Sequence, residues 1–496
     1  DNGYGLDQDG SSYVMVGSSN DPGVNTKILM MKANASGTVS GAFDVANSGN
    51  PNGSEWGFDI KTVSPNTYVI AGANRNSSGL TTPLLTVVSG TGSPSAGATY
   101  PSGNLNRAFN AVSTMSGNQV CAVGYTENLL TSGADLDGLL IVANSSNLNY
   151  IAGNSYGGVG DDVFNDVIEL SNGNLLAVGS TESFGALGKG MYIVVVNQMG
   201  NKVWSHVLDS TRDDIAYAAV EDSFGIVIVG ETNSFNPDGR FDPCLVRYQL
   251  NGTYLSTNVY ENPNFQNGAR GVDVIPGDGF IVSGRTMGSD SIAWLLRISE
   301  FFQPVWYQQY DGTALSDVLQ NGGGSSFYAI GSHLAPGAMR SDVYFVKADN
   351  MGNTGSSCTP NTITVTSSVE APFSDLPADT IVGAGNSATA TMTGSSASIT
   401  NYDACVFVGV SDEITSQVQI HPNPSTGQVT VSYAFAGVQE VKINIYDLQG
   451  RSVFASQMAP VSQGSSDLDL DALPAGVYLM RLRAGERSWT RKLILE

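Results

Sequence analysis

The sequence predicts an all-β chain in three parts. These are a seven-bladed β-propeller over residues 1–356, a Ser/Thr/Gly-rich β linker or small β module over 357–410, and an Ig-like β-sandwich over 411–496. Three observations predict this. A short apolar run ending in Gly recurs seven times at near-even spacing. Turn formers are abundant, 58 Gly and 19 Pro in 496 residues, and no helical periodicity intrudes. The composition changes near residue 357 and again near 411.

The recurring runs are YVMVG, YVIAG, VCAVG, LLAVG, IVIVG, FIVSG and FYAIG, ending at Gly17, Gly72, Gly124, Gly179, Gly230, Gly284 and Gly331. Their spacings are 55, 52, 55, 51, 54 and 47 residues. Each is followed by a second apolar run, such as KILMMKA or MYIVVVN. Several of these lead into a turn rich in residues that tolerate positive φ, such as Asn34-Ala35-Ser36-Gly37 or Asn350-Met351-Gly352-Asn353. A strand precedes each Gly run, as in DVFNDVIEL at 162–170, and a weaker one follows several of the turns. Four short strands at this period are the mark of propeller blades.

The repeats resemble the secreted bacterial β-propeller repeat, on Val178-Gly179-Ser180-Thr181 and on Phe345-Val346-Lys347 with Gly352. The chain starts at the first strand of the first unit, so no N-terminal strand is spare to complete the seventh. The joint between first and last units is therefore expected to hold by side-chain packing alone. The seventh unit should find an outer strand near 354–360 or go without one.

Residues 357–410 are rich in Ser, Thr, Ala and Gly and lose Lys and Arg. Cys358 and Cys405 bracket this segment with no His nearby, and a disulfide between them is expected, implying an oxidising setting. Cys121 and Cys244 sit in apolar runs and read as buried free thiols.

Residues 411–496 show alternating apolar positions, for example Val441, Ile443 and Ile445. Three motifs stand in order: Pro422-Asn423-Pro424 with Gly427; Tyr446-Asp447 through Gly450-Arg451; and Leu473-Pro474-Ala475-Gly476-Val477-Tyr478. Lys492 follows near the terminus. The region resembles the type A C-terminal sorting domain of the Bacteroidetes type IX secretion system. The resemblance implies export across the outer membrane, the translocon and its shuttle protein as partners of 411–496, and a secreted or cell-surface location. A signal peptide removed before Asp1 is expected.

The formal charge is −23, which argues against nucleic acid and anionic lipid. No apolar run approaches the roughly 18 residues of a membrane helix. The three His residues have no neighbours at metal-ligand spacing, and no nucleophile elbow, zinc motif or P-loop is present. No cofactor or metal is expected. Calcium is the one ion considered, because Asp7-Gln8-Asp9-Gly10 and Asp135-Leu136-Asp137-Gly138 begin like calcium loops, but both lack the later acidic ligands.

Long polar connections between second and third strands share one face with the starts of the first strands, where Glu55, Asp161, Asp162, Asp213, Asp214 and Asp317 cluster. These six are the expected acidic rim, either solvated strand-start carboxylates or a cation or polyol site, on the face where long loops would bind an extracellular glycan or protein. The sequence points to an exported propeller used for binding, adhesion or extracellular assembly with other surface proteins. The alternative is a secreted polysaccharide hydrolase or lyase using rim carboxylates.

Overall fold

The computed structural model describes residues 1–19, 25–47, 53–101, 103–128, 135–261, 266–288, 291–321, 325–334, 340–354, 361–362, 366–369, 374–376, 381–383, 388–389, 392–396, 418–446, 452–484 and 487–495. Every regular element among them is a β-strand, and none is a helix able to cross a membrane. The chain divides into two compact units, Asp1–Asn401 and Tyr402–Glu496.

The first unit holds seven antiparallel sheets among its described residues. Sheet four is representative: Asp162–Glu169, Leu175–Thr181, Gly190–Val196 and Lys202–Asp209, paired in that order. Its second and third strands are buried throughout because a neighbouring sheet covers each face. The turn between third and fourth strands is set by one side chain. Asn197 Oδ1 accepts the backbone N–H of Met199 and of Asn201, both at 3.0 Å, while Gly200 takes φ +76°. Asn34 and Asp349 build the same turn in the first and seventh sheets.

The first strands of the seven sheets are Asn2–Asp9, Ser54–Ser64, Arg107–Met115, Asp162–Glu169, Asp214–Asp222, Gln266–Ile275 and Ala314–Gln320. Each packs on the next, and the seventh packs on the first, so the contacts close into a cycle.

Every first strand carries a β-bulge at the same level, opposite the repeated Gly of the second strand. The unpaired residues are Tyr4, Phe58, Asn110, Asn165, Tyr217, Arg270 and Ser316. The bulge pushes a backbone carbonyl onto the facing strand. A Cβ on Gly17, Gly72, Gly124, Gly179, Gly230, Gly284 or Gly331 would fall well under 3.0 Å from that oxygen, a distance real Cβ atoms do not show. The most regular feature of the sequence is thus a steric consequence of the bulges.

Hydrogen bonds join sheet to sheet. Where the residue after the bulge is Asp59, Asp166 or Asp317, one carboxylate oxygen accepts its own following N–H at 2.8 Å. The other accepts an N–H of the next first strand at 2.9 Å, from Val112, Ala219 and Leu6 respectively. Asp7 to Thr62 at 2.6 Å and Asp273 to Gln320 at 2.8 Å serve two further joints. Farther out, tyrosines donate to a turn carbonyl of the following sheet, as Tyr156 does to Gly200 at 2.6 Å and Tyr310 to Gly352 at 2.9 Å.

The first strand begins at Asn2 and pairs within its own sheet, and the seventh sheet has three described strands. The joint between them is more than packing. Tyr13 stacks on Tyr328 at 3.8 Å, as apolar burial requires. Asp317 also holds the Leu6 N–H, Tyr328 donates to the Ala35 carbonyl at 2.6 Å, and Asn2 accepts from Ser332 and Ser341. The expectation of packing alone missed these because none has a signature in local sequence.

Residues 361–396 make no sheet of their own among the described residues. Their strands add to the outer edges of six sheets in reverse order. Asn361–Thr362 joins sheet six, Thr366–Val369 sheet five, Ser374–Leu376 sheet four, Ile381–Gly383 sheet three, Ala388–Thr389 sheet two and Met392–Ser396 sheet one. All run antiparallel to the strand they meet, which raises these sheets to five strands instead of the expected four. An exposed fourth-strand edge is an open row of N–H and C=O groups, and this segment pairs part of each.

The second unit consists of Val418–His421, Gln428–Tyr446, Ser452–Asp469, Gly476–Ala484 and Arg487–Leu495. Gln428–Tyr446 pairs with Val418–His421, Ser452–Asp469 and Gly476–Ala484, and the last pairs with Arg487–Leu495. Alternating Val429, Val431, Val441, Ile443 and Ile445 pack with Leu468, Met480, Leu482 and Leu493 in one core.

Candidate functional site

The bulge residues meet one another around the cycle of first strands. Tyr4 and Phe58 make an edge-on contact with ring centroids 5.4 Å apart. The Asn110 amide donates to the Phe164 carbonyl and the Asn165 amide to the Ala216 carbonyl, both at 2.8 Å. The Arg270 guanidinium lies 3.7 Å over the Tyr217 ring, and both side chains bond Glu231, at 2.8 and 2.9 Å. All seven bulge side chains are half-buried.

One or more residues farther along these strands, the ring turns acidic. The Lys61 ammonium bonds Asp59 at 2.9 Å. Burial would lower its pKa, but the charges of Asp59, Asp317 and Asp7 hold it above the usual lysine value. Burial pushes Asp317 up to about 7 against the pull of Lys61, and Asp166 and Asp273 up to about 6.

Asp161 and Asp162 lie beside and at the start of the fourth first strand, Asp213 and Asp214 at that of the fifth, and Glu55 at the second. Asp317 does not join them. It is the fourth residue of its strand, past the bulge, and belongs with Asp59 and Asp166. Asp161 accepts the Leu136 N–H and Asp213 the Lys189 N–H, each at 3.0 Å. Asn106 holds the equivalent place in sheet three and accepts the Thr81 N–H at 2.9 Å. A neutral amide does the same work there, so the position requires an acceptor and not a charge.

Asp162 and Asp214 are fully buried and share a repeated partner set. Asp162 accepts from Gly158 N–H at 2.7 Å and from the Ser183 hydroxyl at 2.8 Å. Asp214 accepts from Ser210 N–H at 3.1 Å, from the Ser234 hydroxyl at 2.9 Å and from Thr232. Burial raises both to about 7. Glu55 is also buried and accepts from the Asn74 amide at 3.4 Å. Among the described residues no group of three His, Cys, Asp or Glu is arranged to hold a metal ion. Asp7 and Asp9, considered for calcium, bond Thr62 N–H, and Asn66 N–H with the Tyr68 hydroxyl.

In the second unit the motif residues converge on the terminal strand. Asn423 Oδ1 accepts the Ile494 N–H at 2.9 Å, and the Ser425 N–H donates to the Ile494 carbonyl at 2.9 Å. Gly427 takes φ +125° and its carbonyl accepts the Leu470 N–H at 2.8 Å. Tyr478 is buried and its hydroxyl returns to the Pro474 carbonyl at 2.7 Å, which fixes the entry of Gly476–Ala484. Pro422, Pro424, Leu473 and Val477 frame these turns, and Tyr446 ends its strand. Asp447, Gly450 and Arg451 lie outside the described residues, as does the Lys492 side chain.

Cys121 and Cys244 are buried free thiols, as the sequence predicts, and burial pushes both up. Cys358 and Cys405 lie outside the described residues.

An all-β chain with a separate motif-bearing terminal unit is the class these features define. Residues 419–496 match the family model for a secretion system C-terminal sorting domain. The chain therefore carries the tail of type IX secretion cargo, which indicates interaction with that machinery and export to the cell surface or beyond. No curated protein matches the chain.

Proposed function

We propose that the first unit is a seven-bladed β-propeller with an outer belt, exported through its C-terminal sorting domain to bind an extracellular ligand. The observation that carries the propeller reading is the closed cycle of seven first strands, each bulged at one level and each joined to its neighbours. The terminal unit, read as a small Ig-like sandwich, would meet the translocon and its shuttle protein. Binding is favoured over polysaccharide hydrolysis by the state of the rim carboxylates. Asp162 and Asp214, although raised to about 7, are fully buried with their oxygens on backbone N–H and hydroxyl donors, and Asp161 and Asp213 hold backbone N–H groups, which sets all four to holding loops and keeps the two raised carboxyls out of reach of a polymer.

The export reading is tested by removing 419–496 in a host with this secretion system. The truncated protein should accumulate folded in the periplasm, and a reporter fused to 402–496 should reach the surface. A folded reporter retained in the periplasm overturns it. The binding reading is tested with a polysaccharide activity screen beside an adhesion assay. Product formation abolished by Asp162→Asn or Asp214→Asn would make the protein a hydrolase or lyase.

A further inference from the structure

We infer that the ring of bulge side chains is a binding site for a neutral saccharide. The inference rests on the reading of the first unit as an extracellular binding module and names its site and ligand class. The seven sheets act as an internal comparison that separates packing from use. The facing residue is Gly in all seven, and the residue before the bulge is Gly, Ala, Phe or Leu, so packing dictates those places. The bulge position holds aromatic, amide, guanidinium and hydroxyl groups, so packing does not dictate it.

Exposure separates the same residues from the core. Tyr68, Tyr192 and Tyr248 are almost fully buried, whereas Tyr4, Phe58 and Tyr217 are half-buried at this one level. A bulge re-aims a side chain, and here it aims one from every sheet.

The chemistry of the ring matches a sugar. Phe58 with Tyr4 brings half-buried aromatic surface to this level for the C–H face of a pyranose, and the Arg270 guanidinium stacked on Tyr217 sets N–H donors for sugar hydroxyls beside it. Asn110 and Asn165 keep amide oxygens, and Ser316 a hydroxyl, for sugar hydroxyls. Charge decides between neutral and anionic sugars. Glu231 meets the Arg270 charge and Arg285 adds a second guanidinium near Tyr217, while Asp7, Asp59, Asp166 and Asp317 surround the Lys61 ammonium along the strands, so carboxylates outnumber cations. A uronate, sulfate or phosphate would approach a net negative surface, and a neutral saccharide would not.

The test uses the full-length protein on an array of neutral gluco-, manno-, galacto- and N-acetylglucosamine oligosaccharides. The strongest responder is then titrated by calorimetry against wild type, Phe58→Ala, Tyr217→Ala and Phe301→Ala, with each melting temperature recorded. The ring variants should bind about tenfold more weakly, and Phe301→Ala, on an exposed turn, should bind as wild type. If Phe58→Ala does not fold, Phe58→Leu keeps the bulk, removes the aromatic face and should show the same loss. No response anywhere on the array overturns the saccharide assignment. Unchanged binding by folded ring variants overturns the ring as the site. Adhesion that survives the ring substitutions leaves the binding module standing and removes this inference alone.

Discussion

Asp317 Oδ2 accepts the backbone N–H of Leu6 at 2.9 Å, across 311 positions of chain, and closes the cycle of first strands at the joint where the sequence turns back on itself. The same carboxylate holds the Val318 N–H at 2.8 Å. Asp317→Ala leaves both donors buried and unpaired, at about 1–3 kcal/mol each. Urea denaturation should show a loss in that range, with the amides of Asn2–Asp9 and Ala314–Gln320 exchanging earliest. A variant as stable as wild type would show that stacking of Tyr13 on Tyr328 suffices.

Gly179→Ala should destabilise by about 3 kcal/mol or more, because the new methyl falls on the Val163 carbonyl and the backbone must give. Gly277, at φ +74° in a turn with open space around it, is the control, and Gly277→Ala should cost only about 1 kcal/mol. Equal losses in chemical denaturation would refute the bulge as the reason for the repeated glycine.

Acidification should stabilise the first unit between pH 8 and pH 5.5. Burial raises Asp162, Asp214 and Asp317 to about 7, and Asp166 and Asp273 to about 6, from 3.8. Over this window the folded chain keeps protons that the unfolded chain has released, so unfolding free energy falls as pH rises. The contribution is complete below the unfolded pKa and is lost as pH rises through about 6 for Asp166 and Asp273 and about 7 for Asp162, Asp214 and Asp317. The melting temperature should be higher at pH 5.5 than at pH 8, and Asp317→Asn with Asp166→Asn should flatten the slope. A melting temperature that climbs with pH would contradict this.

Asn423→Ala removes the acceptor for the Ile494 N–H and should free the terminal strand. A stability loss of about 1 kcal/mol in the second unit is expected, with faster exchange at Leu493–Leu495. Export of the full chain, measured as the ratio of surface to periplasmic protein, should fall with it.

Deleting 361–396, in a protein that also lacks 402–496, should expose the fourth-strand edges of six sheets. Light scattering should show self-association absent from the protein lacking 402–496 alone. A monodisperse product would show that these edges are protected by other means.

The glycine repeat was legible because sterics permit one residue type opposite the bulge. The bulge residues were not, because Tyr4, Asn165 and Arg270 share a position and no chemistry. Asp161 and Asp213 read as a rim because sequence shows the acid and hides the N–H it accepts, and only Asn106 at the same place reveals that charge is dispensable. The outer strands went unread for a different reason. Ala388–Thr389 and its companions are strands of two to five residues, and ladders that short leave no periodicity to find. In the tail, Pro422-Asn423-Pro424 and the Leu473–Tyr478 stretch were readable as motifs, while the bond from Asn423 to Ile494 required the fold.

The reversed path of residues 361–396 gives the chain a mechanical polarity. Tension applied beyond residue 401 reaches Met392–Ser396 on sheet one first, then each earlier short ladder in turn, back to Asn361–Thr362 on sheet six. The load meets six weak links in series before it reaches the first strands. A pull from that side is met one short ladder at a time, each shorter than the strand pairs of the sheet that anchors it, so the outer seam parts before those sheets do.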